Sequence, residues 1–149
     1  MKLEFFDVAF KYAKKAFLDE EVPIGAVIVK DDKIISFGYN KKEKKSSVIS
    51  HAEIEAIIAA EKKMKNWRLD DCDIYVTLDP CPMCASAIKQ CRIRNVYSAL
   101  SNSDFNNANI INSIFMGDKT NPSVSFFSDL DVKRSKSLLN SFFKKQRMK

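Results

Sequence analysis

Histidine is nearly absent from this chain. His51 is the only one in 149 residues, so any site that needs an imidazole has a single candidate. No apolar run approaches the roughly 18 residues that a bilayer-spanning helix needs, which excludes such a helix. Glu4 and Asp7 stand where an export signal would keep its apolar centre, so no secretory leader is expected. Cysteine is scarce as well: there are four, expected to be reduced thiols in a cytoplasm, free for metal binding or packing. Internal repeats and long low-complexity linkers are lacking, so residues 1–149 are expected to form a single domain. Acids are missing from residues 133–149, which hold Lys133, Arg134, Lys136, Lys144, Lys145, Arg147 and Lys149 and so carry +7 of a net +6, the remainder summing to −1.

What is present reads as an ordinary globular chain, 46% hydrophobic and 30% charged. Leu3, Phe6, Phe10, Ala13 and Phe17 recur at steps of three and four and predict an amphipathic helix over 3–18. Residues 24–29 (Ile-Gly-Ala-Val-Ile-Val) predict a strand, Asp31-Asp32 a tight turn, and 33–38 the returning strand of a hairpin. A polar loop over 40–50 precedes a helix starting near His51, with Ile54, Ile57 and Ile58 on one stripe. Residues 73–78 predict a strand buried on both faces. A helix to about Gln90, a strand over 95–100, a polar stretch over 101–109 and a short helix over 110–116 follow. A strand over 123–127 and a last helix over 130–147, with Leu138, Leu139, Phe142 and Phe143 inward, complete the chain. The alternation predicts an α/β fold of three layers, helices on both faces of a mixed sheet of about five strands.

The chemistry lies in two short segments, His51-Ala52-Glu53 and Pro80-Cys81-Pro82-Met83-Cys84. One imidazole and two thiolates make a tetrahedral zinc site with a fourth position left for water, the catalytic arrangement. Cys81 and Cys84, three apart in a first helical turn, place both sulfurs on one side. The helix N-terminus favours thiolate over thiol. Glu53, not needed as a ligand, supplies the proton shuttle such a water requires. On a regular helix His51 and Glu53 point about 200° apart, so both face one site only if His51 sits at an irregular start. Glu55 is expected to point outward or to support the site from behind. A closed Cys₄ zinc using Cys72, Cys81, Cys84 and Cys91 is the structural alternative; its gaps form no second C-x-x-C pair and leave His51 and Glu53 unexplained. Cys72 and Cys91 are therefore expected to be small buried hydrophobes, and Met83 packing.

The combined pattern is similar to the H-x-E…P-C-x-x-C signature of zinc-dependent nucleobase deaminases. Beyond it, Val22-Pro23-Ile24-Gly25-Ala26-Val27, Gly38-Tyr39-Asn40, Trp67-Arg68-Leu69, Tyr75-Val76-Thr77-Leu78, Arg92-Ile93 and Leu139-Asn140-Ser141-Phe142-Phe143 resemble the bacterial tRNA-specific adenosine deaminases over nearly the whole chain. The resemblance implies a cytidine-deaminase-like fold, one zinc per chain on His51, Cys81 and Cys84, and Glu53 as proton shuttle. It also implies a homodimer that converts the wobble adenosine of an arginine tRNA anticodon to inosine. Asn40 would contact the flipped base, with Gly25 and Ala26 leaving space beside it. Two features depart from the family: Asp79 stands where a Glu is usual, and Ser98-Ala99-Leu100-Ser101-Asn102-Ser103-Asp104-Phe105-Asn106-Asn107 replaces a Gly-rich loop that holds the anticodon stem-loop.

The basic tail, with Lys41, Lys42, Lys44 and Lys45 as a second patch, suits a phosphate backbone or merely keeps the protein soluble. The same zinc motif serves enzymes that deaminate a free cytosine, guanine or cytidine, but a neutral small substrate has no use for a spread cationic surface. A zinc-stabilised RNA-binding module would keep the metal and the charge yet not need Glu53.

Overall fold

The computed structural model describes residues 1–103 and 109–149. The part of the predicted polar stretch on residues 104–108 lies outside the described residues. Helix α1 spans Leu3–Leu18. Strands β1 (Gly25–Lys30) and β2 (Lys33–Tyr39) form the hairpin, and Asp31 and Asp32 both take the left-handed φ (51° and 61°) that a two-residue type I′ turn requires. Helix α2 (Ala52–Met64), strand β3 (Cys72–Val76), helix α3 (Pro82–Gln90) and strand β4 (Asn95–Ser98) follow. The described residues end with helix α4 (Ile110–Phe115), strand β5 (Ser125–Phe127) and helix α5 (Val132–Arg147).

The strands make one mixed sheet in the order β2-β1-β3-β4-β5. β1 is antiparallel to both β2 and β3, while β3, β4 and β5 run parallel. Side chains of α2, α3 and α4 pack on one face around Ile28, Ile74, Val76 and Val96. On the other face α1 and Leu138 of α5 pack around Val27, Val29 and Tyr75. Adjacent residues of β1 and β3 thus serve opposite cores, and Ile74, Tyr75 and Val76 are all buried, as a central strand covered on both faces demands. The three-layer mixed sheet expected from the sequence is what the chain forms.

Two glycines set how closely the helices approach. Neither has positive φ; what matters is the missing Cβ. A Cβ on Gly25 would run into the α1 backbone at Ala9 and Ala13, and one on Gly38 into the α2 backbone at Ala52 and Ala56. Since α2 begins at the candidate site, Gly38 fixes the height of that helix start above the sheet.

Three expected inward residues are not inward. Leu3 (61% exposed) lies at the helix end and Ile58 (43%) just off the buried stripe of Ala52, Glu53, Ala56, Ile57 and Ala60. Phe143 (45%) points away from the core that takes Phe142, and lines a surface groove described below. In each case the apolar periodicity is wider than the face the sheet covers. Among the described residues no helix is long and apolar enough to cross a membrane.

Candidate metal centre and its surroundings

The two motif segments meet where α2 and α3 begin. His51 caps α2 with extended backbone (φ −80°, ψ 157°), and its carbonyl accepts the Glu55 N–H at 3.0 Å. That break from helical geometry removes the 200° separation and lets His51 and Glu53 serve one site. Cys81 caps α3 in the same way (φ −71°, ψ 170°), its carbonyl accepting the Ala85 N–H at 2.9 Å, with Pro82 at the position where a missing N–H costs nothing. Both segments are therefore held at positive helix ends, beside the carboxyl end of β3, where open α/β sheets place their sites.

His51 Nδ1 lies 3.7 Å from Cys81 Sγ and 3.5 Å from Cys84 Sγ, and the three donor atoms all fall within 4.8 Å of one another. A tetrahedral zinc with Zn–N near 2.05 Å and Zn–S near 2.3 Å needs N···S edges of about 3.6 Å. The donor set fits that ion in type and spacing. Cys72 and Cys91 do not join this group among the described residues. Both are buried, the Cys72 thiol facing the Asp70 carbonyl and the Cys91 thiol the Ile88 carbonyl. Burial pushes their thiols up, to about 11 and about 12, so they stay protonated and act as packing.

The metal-capable thiols behave differently. Donation from the Cys84 S–H, opposed by partial burial and helped by His51, lowers Cys81 to about 4. Cys84 is raised by the same hydrogen bond and by burial. The pair thus shares one proton in the metal-free protein, and the hydrogen bond to Cys81 raises His51. Glu53 is only 4% exposed, and its carboxyl, in contact with Cys84 and the charges of Cys81 and His51, is raised to about 7 chiefly by burial. A carboxyl with an affinity for protons near neutrality, aimed at a metal-capable cluster, has the properties of a general acid–base group. Glu55 points elsewhere and pairs with Lys45 Nζ at 2.9 Å.

Asn40 is 6% exposed, and its Oδ1 is the one buried side-chain N or O atom among the described residues with no hydrogen-bond partner. Leaving a buried acceptor unpaired costs about 1–3 kcal/mol, which points to a ligand as its partner. Asn40 lines a cavity of about 300 Å³ with Glu21, Val22, Lys42, Phe142 and Gln146. Beside it, a groove of about 450 Å³ is walled by Val22, Leu78, Ser101, Leu139, Asn140 and Phe143. Gly25 and Ala26 are both buried, Gly25 under α1 with its N–H donated to Thr77 Oγ1 at 3.1 Å, and Ala26 in the core beside Val76.

Two polar features were not anticipated from the sequence. Glu21, 2% exposed, accepts the backbone N–H groups of Glu43 (3.0 Å) and Lys44 (2.7 Å), so it pins the basic loop that links Asn40 to His51. No local pattern announces this, because its partners lie more than twenty residues away. Asp79 accepts from Ser128 Oγ at 2.5 Å and weakly from Asn102 N–H at 3.4 Å, while Asp129 accepts twice from Ser101. This tie joins the cysteine turn to the segment after β4 and to the approach to α5.

Comparison with known proteins agrees with this geometry. The MafB19-like deaminase family model matches residues 1–147. The tRNA-specific adenosine deaminase of Streptococcus pyogenes serotype M18 (strain MGAS8232) is 37% identical over 143 residues, covering 96% of this chain and 90% of that protein. The tRNA-specific adenosine deaminase of Rickettsia bellii (strain RML369-C) is 39% identical over 141 residues, covering 93% and 97%. A solved structure from work on A-to-I editing by tRNA:A34 deaminases at the wobble position superposes with a TM-score of 0.85 at 33% identity, covering 93% of this chain and all of that one.

Proposed function

Because this chain belongs to the MafB19-like deaminase family and, within it, with the tRNA-specific adenosine deaminases, we propose that it hydrolyses adenosine to inosine in tRNA, at the anticodon wobble position. The observation that carries this reading is the buried Glu53, with its proton affinity near neutrality, set against the His51–Cys81–Cys84 cluster. His51, Cys81 and Cys84 hold one zinc per chain. When bound, the ion supplies hydroxide near neutral pH by lowering the pKa of water.

The remaining work falls to side chains. Glu53 takes a proton from the attacking water and passes it to ring nitrogen N1, so that oxygen adds at C6. The same carboxyl then takes the proton of the added C6 hydroxyl and delivers it to the 6-amino group; C6=O forms as the C6–N6 bond breaks, and ammonia leaves inosine behind. Asn40 turns its unpaired Oδ1 to the base, whereas Gly25 and Ala26 open no space beside it as the resemblance implied, because α1 fills the room above Gly25 and Ala26 is buried in the core. Lys144, Lys145 and Arg147, all exposed on the last turns of α5, face phosphate together with Lys41 and Lys42 of the loop, while Arg134, Lys149, Lys44 and Lys45 are held in ion pairs. A cytoplasmic homodimer of a single deaminase domain is the form in which we expect the enzyme to work.

The test is direct. Zinc-loaded protein is incubated with an arginine tRNA bearing an adenosine wobble base, and separately with free adenosine and cytidine, and inosine, uridine and ammonia are assayed. Inosine and ammonia from the tRNA alone are expected. Turnover of the free nucleosides with none on tRNA would overturn the proposal in favour of a small-molecule deaminase.

A further inference from the structure

We propose that an aromatic and lysine-rich face at the edge of the sheet, outside the deamination site, is a second RNA-binding surface, occupied by an unpaired nucleotide flanking the reacting adenosine. This rests on the reading of the chain as an RNA deaminase. β2 is the edge strand, so one long side of it has no neighbouring strand. Phe37 and Tyr39 project from it toward α1. The Phe37 ring stacks on Tyr12 of α1 (centroids 4.0 Å, interplanar 11°), and Tyr12 continues to Tyr39 (6.2 Å, 13°). Phe37 remains 46% exposed.

Three lysines border this column of rings. Lys15 Nζ and Lys41 Nζ stand 5.3 and 4.6 Å from the Tyr39 centroid, and Lys11 Nζ 5.8 Å from that of Tyr12. None of the three is in an ion pair among the described residues. Three unneutralised cations around stacked rings repel one another and attract an anion that also carries a flat face. Nucleotides combine those two properties, and sequence-tolerant nucleic-acid surfaces are built from the same two parts.

A protein strand is a poorer occupant. Ile28 pairs with Ser36 and Val29 with Ile34, so Ile35 is bulged out of register. Lys33 and Lys41 flank the strand, and bulges and lysines are the devices that keep edges from pairing. The location also suits RNA. Phe37 lies three residues before Asn40, about 10 Å along an extended strand, so a nucleotide on Phe37 is a near neighbour of a base held at Asn40.

The experiment compares Phe37→Leu, Phe37→Trp and the double variant Lys11→Gln/Lys15→Gln with the wild type, all zinc-loaded, on the arginine tRNA anticodon stem-loop. Affinity is read by fluorescence anisotropy across a salt series, and kcat and KM from inosine formation. Leu preserves packing on Tyr12 but removes the π face. It should raise Kd and KM roughly 5-fold or more, as loss of one stacked base does. kcat should be unchanged, and Trp should match or exceed the wild type. The double lysine variant should flatten the slope of log affinity against log salt by roughly 0.7 per lost contact. Wild-type affinity in Phe37→Leu together with an unchanged slope in the lysine variant overturns the surface, as does loss of binding in Phe37→Trp. Failure of the underlying reading shows separately, as a wild-type protein that forms no inosine on this RNA.

Discussion

Gly38→Ala tests whether the height of α2 above the sheet governs the site. The added Cβ would lie 2.6 Å from the Ala56 backbone nitrogen and closer still to the Ala52 carbonyl oxygen. Ordinary contact begins near 3.4 Å, so the helix must lift by about 0.8 Å or more, and both obstacles are backbone that cannot rotate away. Overpacking of this kind costs about 1–3 kcal/mol. For a chain of this length that corresponds to a fall in Tm of roughly 3–10 °C. The helix that lifts carries His51 at its cap and Glu53 in its first turn, and a misplacement near 1 Å is worth about 10²-fold in rate. Gly25→Ala is the control: its Cβ meets α1 instead, so it should lose similar stability with less harm to kcat. Thermal unfolding followed by circular dichroism, and inosine formation below both transitions, measure the two effects. A Gly38→Ala protein with wild-type Tm and kcat would refute the reasoning.

Zinc measured by atomic absorption should be one per chain and lost on changing His51, Cys81 or Cys84 to Ala, but kept in Cys72→Ser and Cys91→Ser; the reverse pattern would restore the Cys₄ reading. Glu53→Gln should keep zinc and RNA binding while kcat falls about 10²–10⁴-fold, and near wild-type turnover would dismiss Glu53 as the shuttle. In metal-free protein the same substitution has a pH signature. The folded pKa of about 7 lies above the ordinary glutamate value of 4.5, so Glu53 favours the folded state below pH 4.5 and withdraws that support as pH rises toward 7. Glu53→Gln should therefore gain stability over wild type at pH 8 and not at pH 4.5; equal denaturation midpoints at both pH values would contradict this. Asp79→Glu should raise KM for tRNA while sparing zinc content, because the longer side chain displaces the Ser128 and Asn102 contacts that it now reaches; an unchanged KM would show that the tie does not shape the groove.

The sheet and its helices were legible because their signals are local. Alternation and 3.6-residue periodicity place the described strands and helices to within about two residues, the end of α2 aside, and the hairpin turn follows from Asp31-Asp32 alone. The metal cluster is legible because the donor types and their spacing restrict one another, and the 3.6-residue turn by itself requires His51 to sit outside the helix, as its extended φ and ψ place it. What stayed hidden is non-local. Glu21 reads as one more surface acid, yet it is buried under loop amides that no sequence pattern connects to it. Leu3, Ile58 and Phe143 belong to genuine apolar stripes, but the width of the covering partner decides which members are buried, and that width is a property of the assembled layers.

Asp79 ties three segments of the chain together. Its short carboxylate takes one close partner and one distant one, the Asn102 N–H at 3.4 Å. Ser128 Oγ donates to it at 2.5 Å, and Asp129 accepts from the Ser101 N–H and hydroxyl at 2.7 and 2.6 Å. The backbone follows: Asp79 N–H donates to the Leu100 carbonyl at 2.8 Å, and Leu130 and Asp131 donate to the carbonyls of Ser98 and Ala99. The cysteine turn, the segment after β4 and the approach to α5 are thereby fastened at one point. Leu100, Ser101, Leu139 and Phe143, which wall the groove beside Asn40, belong to the segments so fastened. Asp79, Asp129 and the hydroxyls of Ser101 and Ser128 are thus parts of one local network.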